Sequence, residues 1–273
     1  MRGTALQFGC QTFTWEMLGE AWSGEPDDLV AAIAEGGYAG IEITDTMIGR
    51  YADRPDDFAR LLEDAGLDLV AFAFGSAGGF TEPALRAADL DAARRWTEYA
   101  ARFPGALVAM GSATVMSAGP RQDKFAVAAE IYNAACDIGR EAGVAVAVHP
   151  SSHHDTLLFD RADYDALFAR LDPLVGWIPD TGHILRGGQV LADTLAAHAG
   201  RIRYVHLKDV DGQGNWVMLG AGVCDIAGTI AAAQAAPGFT NWIVVEEESA
   251  TAGADPAAAV AANRRTLREL GIG

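Results

Sequence analysis

Short apolar runs alternate with longer amphipathic ones along the whole chain. The runs at 6–12, 40–44, 68–74, 106–111, 144–149, 175–179, 202–208 and 242–247 read as strands. Several are almost unbroken in Val, Ile, Ala and Leu, Val144-Ala145-Val146-Ala147-Val148 among them. That is the pattern of strands covered on both faces of a parallel sheet. Between the strands the period lengthens. Over 122–142, Val127, Ile131, Ala135 and Ile138 recur at spacings of four, four and three and so share one helix face. Pro26-Asp27-Asp28 and Pro55-Asp56-Asp57 put proline and acid where a helix begins with unpaired N–H groups. Gly66 and Gly143 stand where helices should stop.

Eight strand–helix units follow one another with no Pro- or Ser-rich linker and no shift of composition. This predicts an α/β fold, a single (β/α)8 TIM barrel over residues 1–273, rather than two domains. A Rossmann-type open sheet is the rival, and it needs a glycine-rich turn leading straight from an early strand into a helix. The nearest candidate, Gly75-Ser76-Ala77-Gly78-Gly79, runs into Phe80-Thr81-Glu82-Pro83 instead. A length of 273 residues suits a barrel, which takes about 250.

Charge narrows the partners. With 37 acidic residues against 20 basic ones the chain carries −17, which repels phosphate backbones and anionic membrane surfaces. Nucleic acid and membrane are therefore not expected, and phosphorylated substrates are disfavoured more weakly. Cys10, Cys136 and Cys224 are too widely spaced for a disulfide framework or a zinc motif. No apolar run approaches the roughly 18 residues of a membrane span, and the first residues lack the apolar core of a signal peptide. A cytoplasmic location is the expectation. A homo-oligomer is compatible with a barrel, but nothing in the sequence requires one.

In a barrel, functional side chains come from the C-terminal ends of the strands. Strand five runs into His149-Pro150 and strand six into Asp180-Thr181-Gly182-His183. Strand seven carries Tyr204-Val205-His206-Leu207-Lys208-Asp209, and strand eight ends in Val245-Glu246-Glu247-Glu248. Tyr204, His206 and Lys208 share a face, as do Glu246 and Glu248, with Glu247 on the other. Taken singly, a strand-end Asp is usually a cap and a lone His a satisfied core or surface residue. Buried together they would be costly unless paired or coordinated, and a divalent cation is a sound compensation.

The segments Trp177-Ile178-Pro179-Asp180-Thr181-Gly182-His183, Arg201–Asp209 and Trp242-Ile243-Val244-Val245-Glu246 resemble those of the xylose-isomerase-like superfamily. Its members include sugar isomerases, ketose 3-epimerases, inosose dehydratases and DNA repair endonucleases. The inosose dehydratase-like members are nearest in wording. The resemblance implies one divalent metal ion (Mn, Co, Mg or Zn) held by Asp180, His206 and Glu246. It also implies that His183 contacts substrate or adds to the coordination. Where the epimerases carry a Glu at the end of strand five, this chain has His149. A neutral His can still coordinate, but half of a paired-carboxylate machinery is gone. No His stands near the ends of strands three and four, where the DNA repair members draw further zinc ligands.

Such a site suits proton abstraction next to the carbonyl of a small sugar or keto-polyol through an enediolate. Glu246 is the expected base, and Lys208 or His183 the proton donor or oxyanion partner. Isomerisation, epimerisation and dehydration all branch from that intermediate. A non-catalytic sugar-binding barrel is the rival from another class. Glu42, at the end of strand two, could bind a substrate hydroxyl or serve as a rim carboxylate, and Trp15 could stack on a sugar ring or pack in the core. In Ser151-Ser152-His153-His154-Asp155, adjacent His side chains diverge, so one at most should face the centre.

Overall fold

The computed structural model describes residues 5–272; Met1–Thr4, part of the stretch read for a signal peptide, lie outside them. Eight parallel strands form the centre: β1 (Gln7–Gln11), β2 (Gly40–Thr44), β3 (Asp68–Phe74), β4 (Leu107–Met110), β5 (Val146–Val148), β6 (Gly176–Trp177), β7 (Val205–Leu207) and β8 (Trp242–Val245). They pair in the order β6-β5-β4-β3-β2-β1-β8-β7. The ring closes between β6 and β7 through single bridges rather than a ladder. There the Arg203 N–H donates to the Trp177 carbonyl at 3.0 Å and the His206 N–H to that of Pro179 at 2.9 Å. Each strand is followed by a helix on the outside, the longest being Arg121–Ala142. The fold is the expected TIM barrel.

β2 and β3 span their predicted residues, while β5 and β6 are shorter than their apolar runs. The Val144 N–H is taken by the Gly139 carbonyl as the preceding helix ends, so the strand starts later. Beyond Trp177, Pro179 has no N–H to give a ladder, and Asp180 turns the chain into a helix.

Alternation along the strands divides the core in two. Ile41, Ile43, Val146, Val148, Val205 and Leu207 face outward and pack under the helices. Val70, Leu107, Ala147, Ile178, Trp242 and Val244 fill the interior of the barrel. Gly40 lets the Trp242 ring enter, because a Cβ there would lie 2.6 Å from Val70 Cγ2 and 2.7 Å from the indole. Among the described residues no helix is long and apolar enough to cross a membrane, and the three cysteines are free.

Candidate active site

The inward parity that puts Trp242 and Val244 inside the barrel carries on to Glu246 and Glu248 at its mouth. The same parity on β7 gives Tyr204, His206 and Lys208, on β5 His149, and on β2 Glu42 and Thr44. Polar groups from these four strands, with Asp180 just after β6, thus converge at one end. His149, Asp180, His206 and Glu246 each offer a ligand atom, and these atoms all lie within 4.8 Å of one another. His149 Nε2 is 3.7 Å from both Asp180 Oδ2 and Glu246 Oε2, and His206 Nδ1 is 4.0 Å from Asp180 Oδ2 and 2.7 Å from Glu246 Oε2.

His206 Nδ1 and Glu246 Oε2 are hydrogen-bonded, whereas the other three spacings are too long for hydrogen bonds and would need to close by only a few tenths of an ångström around a shared cation. Ligand atoms about 2.0–2.2 Å from one ion lie about 3–3.6 Å apart at octahedral to tetrahedral angles. His149 Nε2 and Asp180 Oδ2 are buried without a hydrogen-bond partner among the described residues. Such atoms are rare unless something else satisfies them. Two imidazoles and two carboxylates form a donor set fit for a divalent transition ion.

Each group is fixed from outside the cluster. Asp180 caps the helix Thr181–Arg186, its Oδ1 accepting the His183 N–H at 2.7 Å, so that Oδ2 alone is left to face inward. Thr181 Oγ1 donates to the Lys208 carbonyl at 2.5 Å and accepts the Lys208 N–H at 2.9 Å, which ties the end of β6 to β7. Gly182 clears the way for Lys208 and Trp216, since a Cβ there would sit 2.6 Å from the indole.

His206 Nε2 is 2.7 Å from Glu42 Oε2, which also accepts from the Tyr204 hydroxyl at 2.7 Å. Burial works against charge on this ring, but Glu42 and Glu246 outweigh it and hold its pKa at about 10. A metal ion would take the Nδ1 lone pair and leave Nε2–H on Glu42, a common support for a histidine ligand.

Lys208 is buried, with Nζ 2.6 Å from Glu246 Oε1 and in contact with Glu248 Oε1 and the Trp216 ring. Burial disfavours its charge, yet Glu246, Glu248 and Asp180 together push its pKa above the ordinary lysine value. Burial would likewise raise the Glu246 carboxyl, but Lys208 and His206 bring it well below the carboxylate range.

Opposite them, His183 Nδ1 accepts the Ser152 N–H at 2.9 Å and lies 2.8 Å from Ser152 Oγ. Burial drives this ring's pKa well below the ordinary value. It is therefore neutral, with Nδ1 accepting and the proton on Nε2.

Residues 30–270 match the family described as xylose isomerase-like TIM barrel. The chain belongs to this family. It is similar to the inosose dehydratase of Geobacillus thermodenitrificans (strain NG80-2), 31% identical over 152 residues, or 49% of this chain and 50% of that protein. The chain thus spans about half the length of this relative. The inosose dehydratase of Geobacillus kaustophilus (strain HTA426) is 26% identical over 265 residues, 84% of this chain and 82% of that one. Among solved structures, a 3-keto-D-glucoside 4-epimerase from E. coli superposes with a TM-score of 0.76 at 17% identity, covering 97% of this chain and 99% of that one. The IOLI protein with a zinc atom superposes at 0.75 and 15% identity, covering 96% of both. At such identities the structures speak for the fold.

Around the cluster, this xylose isomerase-like barrel takes the packing alternative at Trp15. That ring is 4% exposed and packs in the core. Residues Phe13–Glu16 form a helical turn rather than extended chain, so Phe13 and Glu16 share the face turned to the opening and Trp15 is rotated inward. Glu42 lines the cavity beside His149, but one of its oxygens is already committed to Tyr204 and His206.

Of the adjacent histidines, His153 faces inward with Nε2 3.1 Å from Glu248 Oε2, while His154 is exposed. His153, His183 and Glu248 form a second cluster. There Glu248 shares the Lys208 ammonium with Glu246, and His153 Nε2 and His183 Nδ1 already have hydrogen-bond partners, so hydrogen bonding accounts for it. Trp216, from the ribbon Asp209–Val210/Trp216–Val217, escaped the sequence reading altogether. It lies 5.1 Å from the His183 ring, with the Arg186 guanidinium 4.5 Å away on its face. Strands of two residues carry no readable period.

Proposed function

We propose that this chain is a divalent-metal-dependent enzyme that abstracts a proton next to the carbonyl of a keto-polyol, with loss of water as the favoured outcome. The observation that carries the reading is the Lys208–Glu246 pair, 2.6 Å apart, beside a four-ligand cluster whose strand-five member is an imidazole. His149, Asp180, His206 and Glu246 would hold the ion. When bound, it supplies a Lewis acid for the substrate carbonyl and charge to stabilise the enolate oxygen.

The chain's own groups do the rest. Glu246 is ionised at neutral pH and takes the proton from carbon. His183, neutral and with its proton on Nε2, donates a hydrogen bond to the carbonyl oxygen, where charge develops. Lys208 keeps its proton while Glu246 and Glu248 are both charged. Once Glu246 is protonated that support is halved, so Lys208 becomes the better acid at the moment a β-hydroxyl must leave. Base and acid then lie on the same side of the substrate. A second carboxylate base on the opposite side, as two-base epimerisation uses, is replaced by His149. The curated relatives that match by sequence carry the name inosose dehydratase, which supports the same reading.

Incubation of the Mn2+-loaded protein with inosose in D2O tests it. A product lighter by one water, lost in Glu246→Gln and Lys208→Met, is the expected result. A product of unchanged formula carrying solvent deuterium would establish isomerisation or epimerisation instead. Binding of sugar without any turnover or exchange, metal present, would leave only a binding barrel.

A further inference from the structure

Two chambers meet at the mouth of the barrel. The inner one, about 210 Å3, gathers the charged and polar side chains of His149, Glu42, Glu16, Thr44 and Asp45 beside Phe74 and Met110. The outer one, about 630 Å3, has an apolar wall of Phe13, Met17, Phe80 and Met116. Phe13, Gly75 and Gly111 line both, so the chambers are joined there. Among the described residues no lysine or arginine lines either chamber, whereas Glu16, Glu42, Asp45 and Glu248 do. Lys208, just behind, is engaged by two carboxylates.

An inner chamber the size of a small ring would suffice for a bare keto-polyol. It opens instead into a space three times larger, with Met116 on its wall 57% exposed although apolar. Gly75 stands at the junction. A Cβ there would meet no heavy atom within 4 Å, and Gly75 lies outside the left-handed region, so any side chain would fit the backbone and project into open space. We propose that the site takes an uncharged ring ketone bearing a bulky, largely apolar O-linked substituent, with Gly75 keeping open the passage that the substituent occupies. The inference rests on the keto-polyol reading above and adds the substrate class. A phosphate ester would find no lysine or arginine in either chamber and would meet carboxylates in both.

The test compares 3-keto-glucose, its phenyl glycoside and its 6-phosphate as substrates of the Mn2+-loaded protein, with thermal shift as the binding readout. The phenyl glycoside should exceed the free sugar in kcat/KM by about tenfold, as burial of an apolar group in a fitted site allows, and the phosphate should neither react nor stabilise. Gly75→Leu should cut the ratio of glycoside to free sugar by about tenfold, and the milder Met116→Gln should lower it with folding unchanged. Equal handling of glycoside and free sugar, preference for the phosphate, or a Gly75→Leu loss that falls on both sugars alike would overturn the inference and leave the functional reading standing. If none of the three reacts or shifts the melting temperature, the keto-polyol reading falls and this inference with it.

Discussion

A carboxylate only 1% exposed needs partners, and Glu42 has two, Tyr204 and His206, on one oxygen. Its charge raises the basicity of the His206 ring whose other nitrogen faces the ligand cluster. Glu42→Gln keeps an acceptor oxygen but removes that charge. Metal affinity, read by titration calorimetry, should fall about 10–100-fold with the circular dichroism spectrum unchanged. Asp45 is the other informative single residue. Burial, with Glu16 adding repulsion, raises its pKa to about 6, against an ordinary value near 4. The folded chain then binds more protons than the unfolded one between those limits, so this group's contribution to stability declines as pH rises through the window. Asp45→Asn should therefore raise the melting temperature at pH 7 to 8 and lose that advantage below about pH 4.

At the scale of elements, short irregular pieces are held by single buried side chains. Asp209 is 1% exposed and accepts four backbone N–H groups, from Val210, Gly220, Gly222 and Cys224, at 2.9 to 3.0 Å. It folds the glycine loop after the ribbon, which explains Gly220-Ala221-Gly222 as a turn built around a carboxylate. Asp209→Ala leaves those amides unsatisfied, and urea unfolding should show a loss of about 2–4 kcal/mol. Asp180 does comparable work at a helix start, with one oxygen on the His183 N–H and the other turned to the cluster. Its sequence signature, Asp-Thr-Gly-His, was legible because capping, stitching to β7 and close approach to Lys208 each demand one residue type. Trp15 stayed open between stacking and packing for a related reason: a four-residue helical turn changes which positions share a face, and so short a turn leaves no period to read.

For the whole molecule, four candidate ligands at the ends of four neighbouring strands would link metal binding to barrel closure. β6 and β7 share single bridges rather than a ladder, and Asp180 and His206 form one of them. A bound ion would add a tie across that seam. At a metal concentration about 100 times the dissociation constant, linkage contributes about 2.7 kcal/mol. Chelation should then lower the melting temperature by about 5–10 °C, and readdition of Mn2+ should restore it. A melting temperature indifferent to chelator would count against the cluster as a metal site.

What the sequence by itself determined was everything that depends on local period. The apolar runs specify eight strands, the four–four–three spacing of Val127, Ile131, Ala135 and Ile138 specifies a helix, and strand parity puts His206 with Lys208 and Glu246 with Glu248 on shared faces. Parity acts from one residue to the next, so it survives without coordinates. Tertiary structure alone decided the contacts between residues far apart in the chain. It set Glu42 against His206 rather than free in the cavity, Ser152 on His183, Trp216 beside His183 and Lys208, and Gly75 between two chambers. Those pairings arise when the ring of strands closes, and no spacing within a single strand or helix encodes them.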